Sequence, residues 1–186
     1  SLVVNAHTEN AGFSLVMESD SAAILGLGNM LLGDDGAGIH AIKRISSRQA
    51  ATGQDFPHSI SLIDGGTLSF SLLDEIAGAG ALIIIDAMEL GASAGTTRYF
   101  FDQELDQFLA APEQCSVHDL NLGDLLRMSA LRGTLPKRRL LVGIQPLVIQ
   151  WQETLSSEVS ESVSQICNQI CEAIAQLAWQ GRLSHG

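Results

Sequence analysis

A chain of 186 residues, 46% of them hydrophobic and 17% charged, is long enough for one domain with a sizeable core and has neither a disordered nor a low-complexity composition. Its 10 basic and 21 acidic residues leave a net charge of −11, which argues against nucleic acid as a partner, because that needs a basic patch. The same acidity suits ordinary solubility, or affinity for cations or a basic partner.

Residues 1–21 show no strong period and read as an N-terminal arm, expected to be mobile. Ala22 to Leu27 reads as a buried strand. Ile39, Ile42 and Ile45 recur at helical spacing, so a helix follows the glycine-rich "GLGNMLLGDDGAG". Ile60 to Ile63 is a second strand, closed by "DGGT", and a helix through Phe70, Leu73 and Ile76 comes next. Ala81 to Ile85 is apolar on both faces, the signature of a central parallel strand covered by helices on both sides. Thr96 to Phe101 looks like a strand whose short connection favours a hairpin, hence an antiparallel neighbour. Leu120 to Met128 is a helix, Arg138 to Ile144 another buried strand, and Ser157 to Trp179 a long amphipathic helix with Val163, Ile166, Ile170, Ile174 and Leu177 as its buried stripe. The alternation predicts an α/β fold: a three-layer sandwich with a twisted, mostly parallel sheet of about five strands and helices on both faces. One domain is expected over residues 22–181, with 182–186 as a tail.

The cysteines Cys115, Cys167 and Cys171 form no CxxC pair, and their odd number suits a reducing compartment. Cys167 and Cys171 sit four apart in a helical pattern, so core packing is their expected role. The first basic residue is Lys43, so no secretory signal is expected, and no apolar run has membrane-spanning length. A cytoplasmic protein without membrane insertion is the expectation.

Three motif look-alikes fail. Gly26 and Gly28 begin a dinucleotide fingerprint, but its third glycine is replaced by Leu31. Gly28 and Gly33 have the spacing of a phosphate loop, yet the following Lys-Ser/Thr pair is replaced by Asp34 and Asp35, which would repel phosphate. Gly91-Ala92-Ser93-Ala94-Gly95 satisfies G-x-S-x-G, but that elbow needs a helix after it, and a strand-like run follows. With His118 downstream, a serine hydrolase using Ser93 stays an alternative.

What survives is a set of carboxylates in equivalent places: Asp34 and Asp35 after the first strand, Asp64 ending the second and Asp86 ending the third. Ligands of an open parallel sheet bind beyond the carboxyl ends of its strands, so all four are expected to face one crevice. Blander readings exist for two: Asp34 as a helix cap, and Asp64 as the brace of a turn. Asp86 closes a run of three isoleucines, where an unpaired carboxylate would be costly. Together, Asp35, Asp86 and His118 form a mixed oxygen and nitrogen set suited to a divalent cation such as nickel, zinc or manganese.

Five stretches, "GLGNMLLGDDGAG", "IDGGT", "LIIIDA", "SVHDLNLGDLL" and "LLVGIQP", resemble in order and spacing the [NiFe]-hydrogenase maturation endopeptidases. The resemblance runs from about Ala22 to the C-terminal helix. It implies a protease that removes a C-terminal extension from the hydrogenase large-subunit precursor after nickel insertion. It implies nickel recognition by Asp35, Asp86 and His118, with nickel supplied by the precursor and other divalent cations as substitutes in the isolated protein. Asp35 or Asp86 would act as general base or metal ligand in an aspartic-type or metal-assisted hydrolysis, and Asn29, Asp34 and Asp64 would have supporting roles. A non-catalytic metal-binding maturation chaperone is the other alternative. The segment Leu147 to Glu153, beyond the last strand, is expected to help choose the large subunit.

Overall fold

A computed structural model describes residues 3–5, 14–16, 21–52, 60–66, 68–110 and 117–183, with side chains for 21–51, 60–66, 68–110 and 122–176. Two short strands, β1 (Val3–Asn5) and β2 (Ser14–Val16), pair antiparallel within the N-terminal arm, and β2 lies against the last helix. The main sheet follows: β3 (Ala22–Leu27), β4 (Ile60–Gly66), β5 (Ala81–Ala87), β6 (Thr97–Phe101) and β7 (Arg138–Ile144). Its helices are α1 (Ala37–Thr52), α2 (Leu72–Ile76), α3 (Asp102–Ala110), α4 (Val117–Leu131) and α5 (Ser157–Leu183).

The strand order is β4-β3-β5-β7-β6, parallel except for β6. Every residue of β5 is buried, as its unbroken apolar run predicts for the central strand. Alternate side chains of that run divide the core in two. Ile83 and Ile85 join Ala37, Ala41 and Ile45 of α1 and Val163, Ile166 and Ile170 of α5. Leu82 and Ile84 join Leu73 and Ile76 of α2, Leu105 of α3 and Leu122 and Leu126 of α4. The expected three-layer α/β sandwich is therefore the fold.

Several details differ from the sequence reading, the β1–β2 pair in the arm among them. β6 is antiparallel, but its partner is β7 and not β5, so there is no β5–β6 hairpin. Both edges of β5 are already taken by β3 and β7, and the connecting loop reaches over the end of β7 instead. Gln145 holds that loop. Its Oε1 accepts from the N–H groups of Leu90 at 2.7 Å and Ala92 at 3.3 Å, and its Nε2 donates to Glu89 at 3.1 Å. Helix α3 escaped the sequence reading, because only Leu105 and Leu109 of its nine residues are buried. Helix α4 begins at Val117, three residues earlier than expected. Of the predicted stripe of α5, Val163, Ile166, Ile170 and Ile174 are buried, while Leu177 lies outside the described side chains.

Among the cysteines, Cys167 packs in the core, its thiol pushed up to about 11 by burial, and Cys171 is half-buried. Cys115 lies outside the described residues. No helix among the described residues is long and apolar enough to cross a membrane.

Candidate active site at the carboxyl end of the sheet

The turn after β3 leads into a short 3-10 helix, Gly33–Gly36, and then into α1. Gly28, at φ +115°, folds this turn so tightly that a Cβ there would run into the Asp35 carbonyl. The backbone N–H of Asn29 donates to Asp35 Oδ2 at 2.9 Å, and Asn29 Oδ1 accepts from Leu31 at 2.9 Å. Asp35 is buried, and its carboxylate is thus held against the loop that precedes it. Gly38 then lets α1 lie directly on the sheet. A Cβ at Gly38 would meet the Ile85 carbonyl and the Leu27 backbone. This contact brings the start of α1, and Asp35 just ahead of it, to the end of β5.

Asp86 is the residue after Ile85 and is fully buried. Strand alternation puts it on the face of Leu82 and Ile84, the face covered by α2, α3 and α4. Helix α4 ends at Leu131, and β7 starts at Arg138, at the opposite end of the sheet from Asp86. A fifteen-residue helix is about 22 Å long, so the first turn of α4, with His118 in it, reaches back toward the carboxyl ends of the strands. The His118 side chain lies outside the described residues.

The expectation that four carboxylates face one crevice is corrected for two of them. Asp34 is fully buried but turned away, toward the segment after β7. Its Oδ2 accepts from Leu147 N–H at 2.9 Å, Val148 N–H at 3.0 Å and the Ser156 hydroxyl at 2.8 Å, and its Oδ1 from Ser156 N–H at 2.7 Å. Burial alone would raise its pKa, but the hydrogen bonds from Ser156, Val148 and Leu147 outweigh this and hold it below the ordinary carboxylate value. Nor does Asp34 cap a helix with its side chain. Asp34 itself fills a nest of N–H donors offered by the segment after β7. Asp64 is exposed, and its Oδ1 accepts from Gly66 N–H at 3.1 Å, so the bland reading of a turn brace describes it. Thr67 of the same motif lies outside the described residues.

Ser93 sits on an exposed loop, its carbonyl accepting from Thr96 N–H, and strand β6 follows. The strand-turn-helix context of a nucleophile elbow is absent there. Gln145 was missed as a site-building residue. Its signal was positional: a polar side chain, now found buried, directly after the apolar run of β7.

An open, mostly parallel α/β sheet with buried carboxylates at its carboxyl end defines a class of crevice-binding α/β proteins. Comparison narrows it. The HycI hydrogenase maturation protease family model matches residues 39–173, and the chain belongs to this family. It is 33% identical over 132 residues to the hydrogenase expression/formation protein HupM of Azotobacter chroococcum mcd 1, covering 71% of this chain and 60% of that protein. The chain thus spans about three-fifths of that relative's length. Among solved structures, the hydrogenase maturating endopeptidase HybD from Escherichia coli superposes with a TM-score of 0.73 at 27% identity, covering 84% of this chain and 93% of that one. The [NiFe] hydrogenase maturation protease HybD from Thermococcus kodakarensis gives 0.68 at 28% identity, covering 83% and 99%.

Proposed function

We propose that this chain is an endopeptidase that removes a C-terminal extension from the nickel-loaded large-subunit precursor of a [NiFe]-hydrogenase. The observation that carries the reading is Asp86. A fully buried carboxylate closes the central strand, with Asp35 held beside the start of α1 and the first turn of α4 approaching from the other face. Family membership supplies the reaction class. The acidic end of the sheet suits a cation arriving with the substrate, and Asp35, Asp86 and His118 are its ligands from this chain.

Water is the nucleophile in this reading. Ser93 lacks the required context, and Cys167 is a core thiol with its pKa raised by burial. A carboxylate, Asp35 or Asp86, takes the proton from the attacking water, or the nickel polarises the scissile carbonyl. Either route ties cleavage to a precursor that already holds its metal. The protein is expected to work in the cytoplasm.

The test is processing of the cognate precursor by wild type, Asp86→Ala and His118→Ala, read by mass spectrometry. Loss of the C-terminal peptide with wild type alone, both variants retaining wild-type circular dichroism, supports the proposal. Cleavage at the wild-type rate in both variants refutes the site. Precursor binding without any shortening by wild type would instead identify a chaperone. Loss of activity in Ser93→Ala, with labelling by a fluorophosphonate probe, would identify a serine hydrolase.

A further inference from the structure

Leu147, Ile149 and Trp151 are 57%, 59% and 78% exposed, and Leu31 beside them is 40% exposed. Large apolar side chains gathered on one surface are a mark of an interaction site. These four belong to two segments bound to each other. Gln152 N–H donates to the Leu31 carbonyl at 3.0 Å, Gly33 N–H to the Gln152 carbonyl at 2.7 Å, and Asp34 N–H to the Val148 carbonyl at 2.9 Å. The Asp34 carboxylate fixes Leu147 and Val148 at one end of the stretch and Ser156 at the other. The backbone under the apolar side chains is therefore pinned at both ends, and the alternation Leu147, Ile149, Trp151 points outward from it.

Two observations say what covers this strip. It runs from the carboxyl end of β7 back to the turn after β3, so it borders the end of β5, where Asp86 lies, and Asp34 beneath it adjoins Asp35. A protein chain laid across the end of β5 between these two segments meets it. Its ends are acidic: exposed Glu89 is held by Gln145 just before the strip, and exposed Glu153 follows it. We infer that Leu31, Leu147, Ile149 and Trp151 form the docking surface for the precursor, through an apolar segment flanked by lysine or arginine. The inference rests on the processing reading above and adds where the substrate is gripped.

The experiment measures the affinity of the purified nickel-loaded precursor for wild type, for Ile149→Ser combined with Trp151→Ser, and for Asp86→Ala, with sedimentation of each protein alone. Both serine substitutions are at exposed positions, so folding is expected to be unchanged. The expected result is a dissociation constant raised at least about tenfold in the double variant, since a buried tryptophan is a frequent source of interface energy. Asp86→Ala is expected to retain the strip's share of binding. Unchanged affinity in the double variant, or self-association of wild type that the double variant abolishes, would overturn the inference. If wild type binds through the strip and never shortens the precursor, the docking surface stands and the processing reading falls. If wild type does not bind, both fall.

Discussion

Asp34 and Ser156 stand 122 residues apart in the sequence and are joined by two hydrogen bonds, from the Ser156 N–H at 2.7 Å and its hydroxyl at 2.8 Å. The same hydroxyl accepts from Val159 N–H at the start of α5. One buried carboxylate therefore ties the turn after β3 to the segment after β7 and to the helix that covers the sheet. Asp34→Ala strands these donors. The expected loss is about 3 kcal/mol or more, since hydrogen bonds to a charged group contribute about 1.5–3 kcal/mol each and several donors lose their acceptor. Urea unfolding measures it, and a loss below about 1 kcal/mol would show that water replaces the carboxylate easily.

The same carboxylate sets a pH dependence. Its pKa is held below the ordinary 3.8, so the unfolded chain takes up the proton first as pH falls. Its stabilising contribution is complete above about pH 4 and is lost as pH falls through the folded-state value. The stability gap between wild type and Asp34→Ala is expected to narrow below pH 4. A gap that stays constant to pH 3 would contradict this account of Asp34.

Gly38 sets the distance between α1 and the sheet. Gly38→Ala drives a methyl group into the Ile85 carbonyl and the Leu27 backbone, which cannot move aside as a flexible side chain would. Overpacking of this kind costs about 1–3 kcal/mol. Because the helix start carries Asp35 to the end of β5, processing is expected to fall more than stability does. A variant with wild-type stability and processing would show that the site tolerates a displaced α1.

The inner strands β3, β5 and β7 were legible because they carry unbroken buried runs, and Asp86 stood out because an acid closing three isoleucines contradicts its surroundings. The role of Asp34 was not legible. All but one of its partners are backbone N–H groups more than a hundred residues downstream, and a backbone donor leaves no mark in a sequence. The partner of β6 was misread for a related reason. A short loop suggests a hairpin, but strand order is decided by which edges of β5 are free, and both are occupied. Asp64 looked equivalent to Asp86 in spacing, yet β4 is an edge strand and leaves it exposed.

Asp86→Asn separates chemistry from folding. The amide keeps the size and shape of the buried side chain, so the fold is expected to be retained, as circular dichroism would show. Processing is expected to fall at least about a hundredfold if Asp86 moves a proton or holds the cation. Retained processing in this variant would remove Asp86 from the reaction.

The most direct measurement is the mass of the cognate large-subunit precursor after incubation with wild-type protein, with the precursor prepared once with nickel and once without. The account predicts loss of a C-terminal peptide only from the nickel-loaded precursor. Equal shortening of both preparations, or of neither, would contradict it.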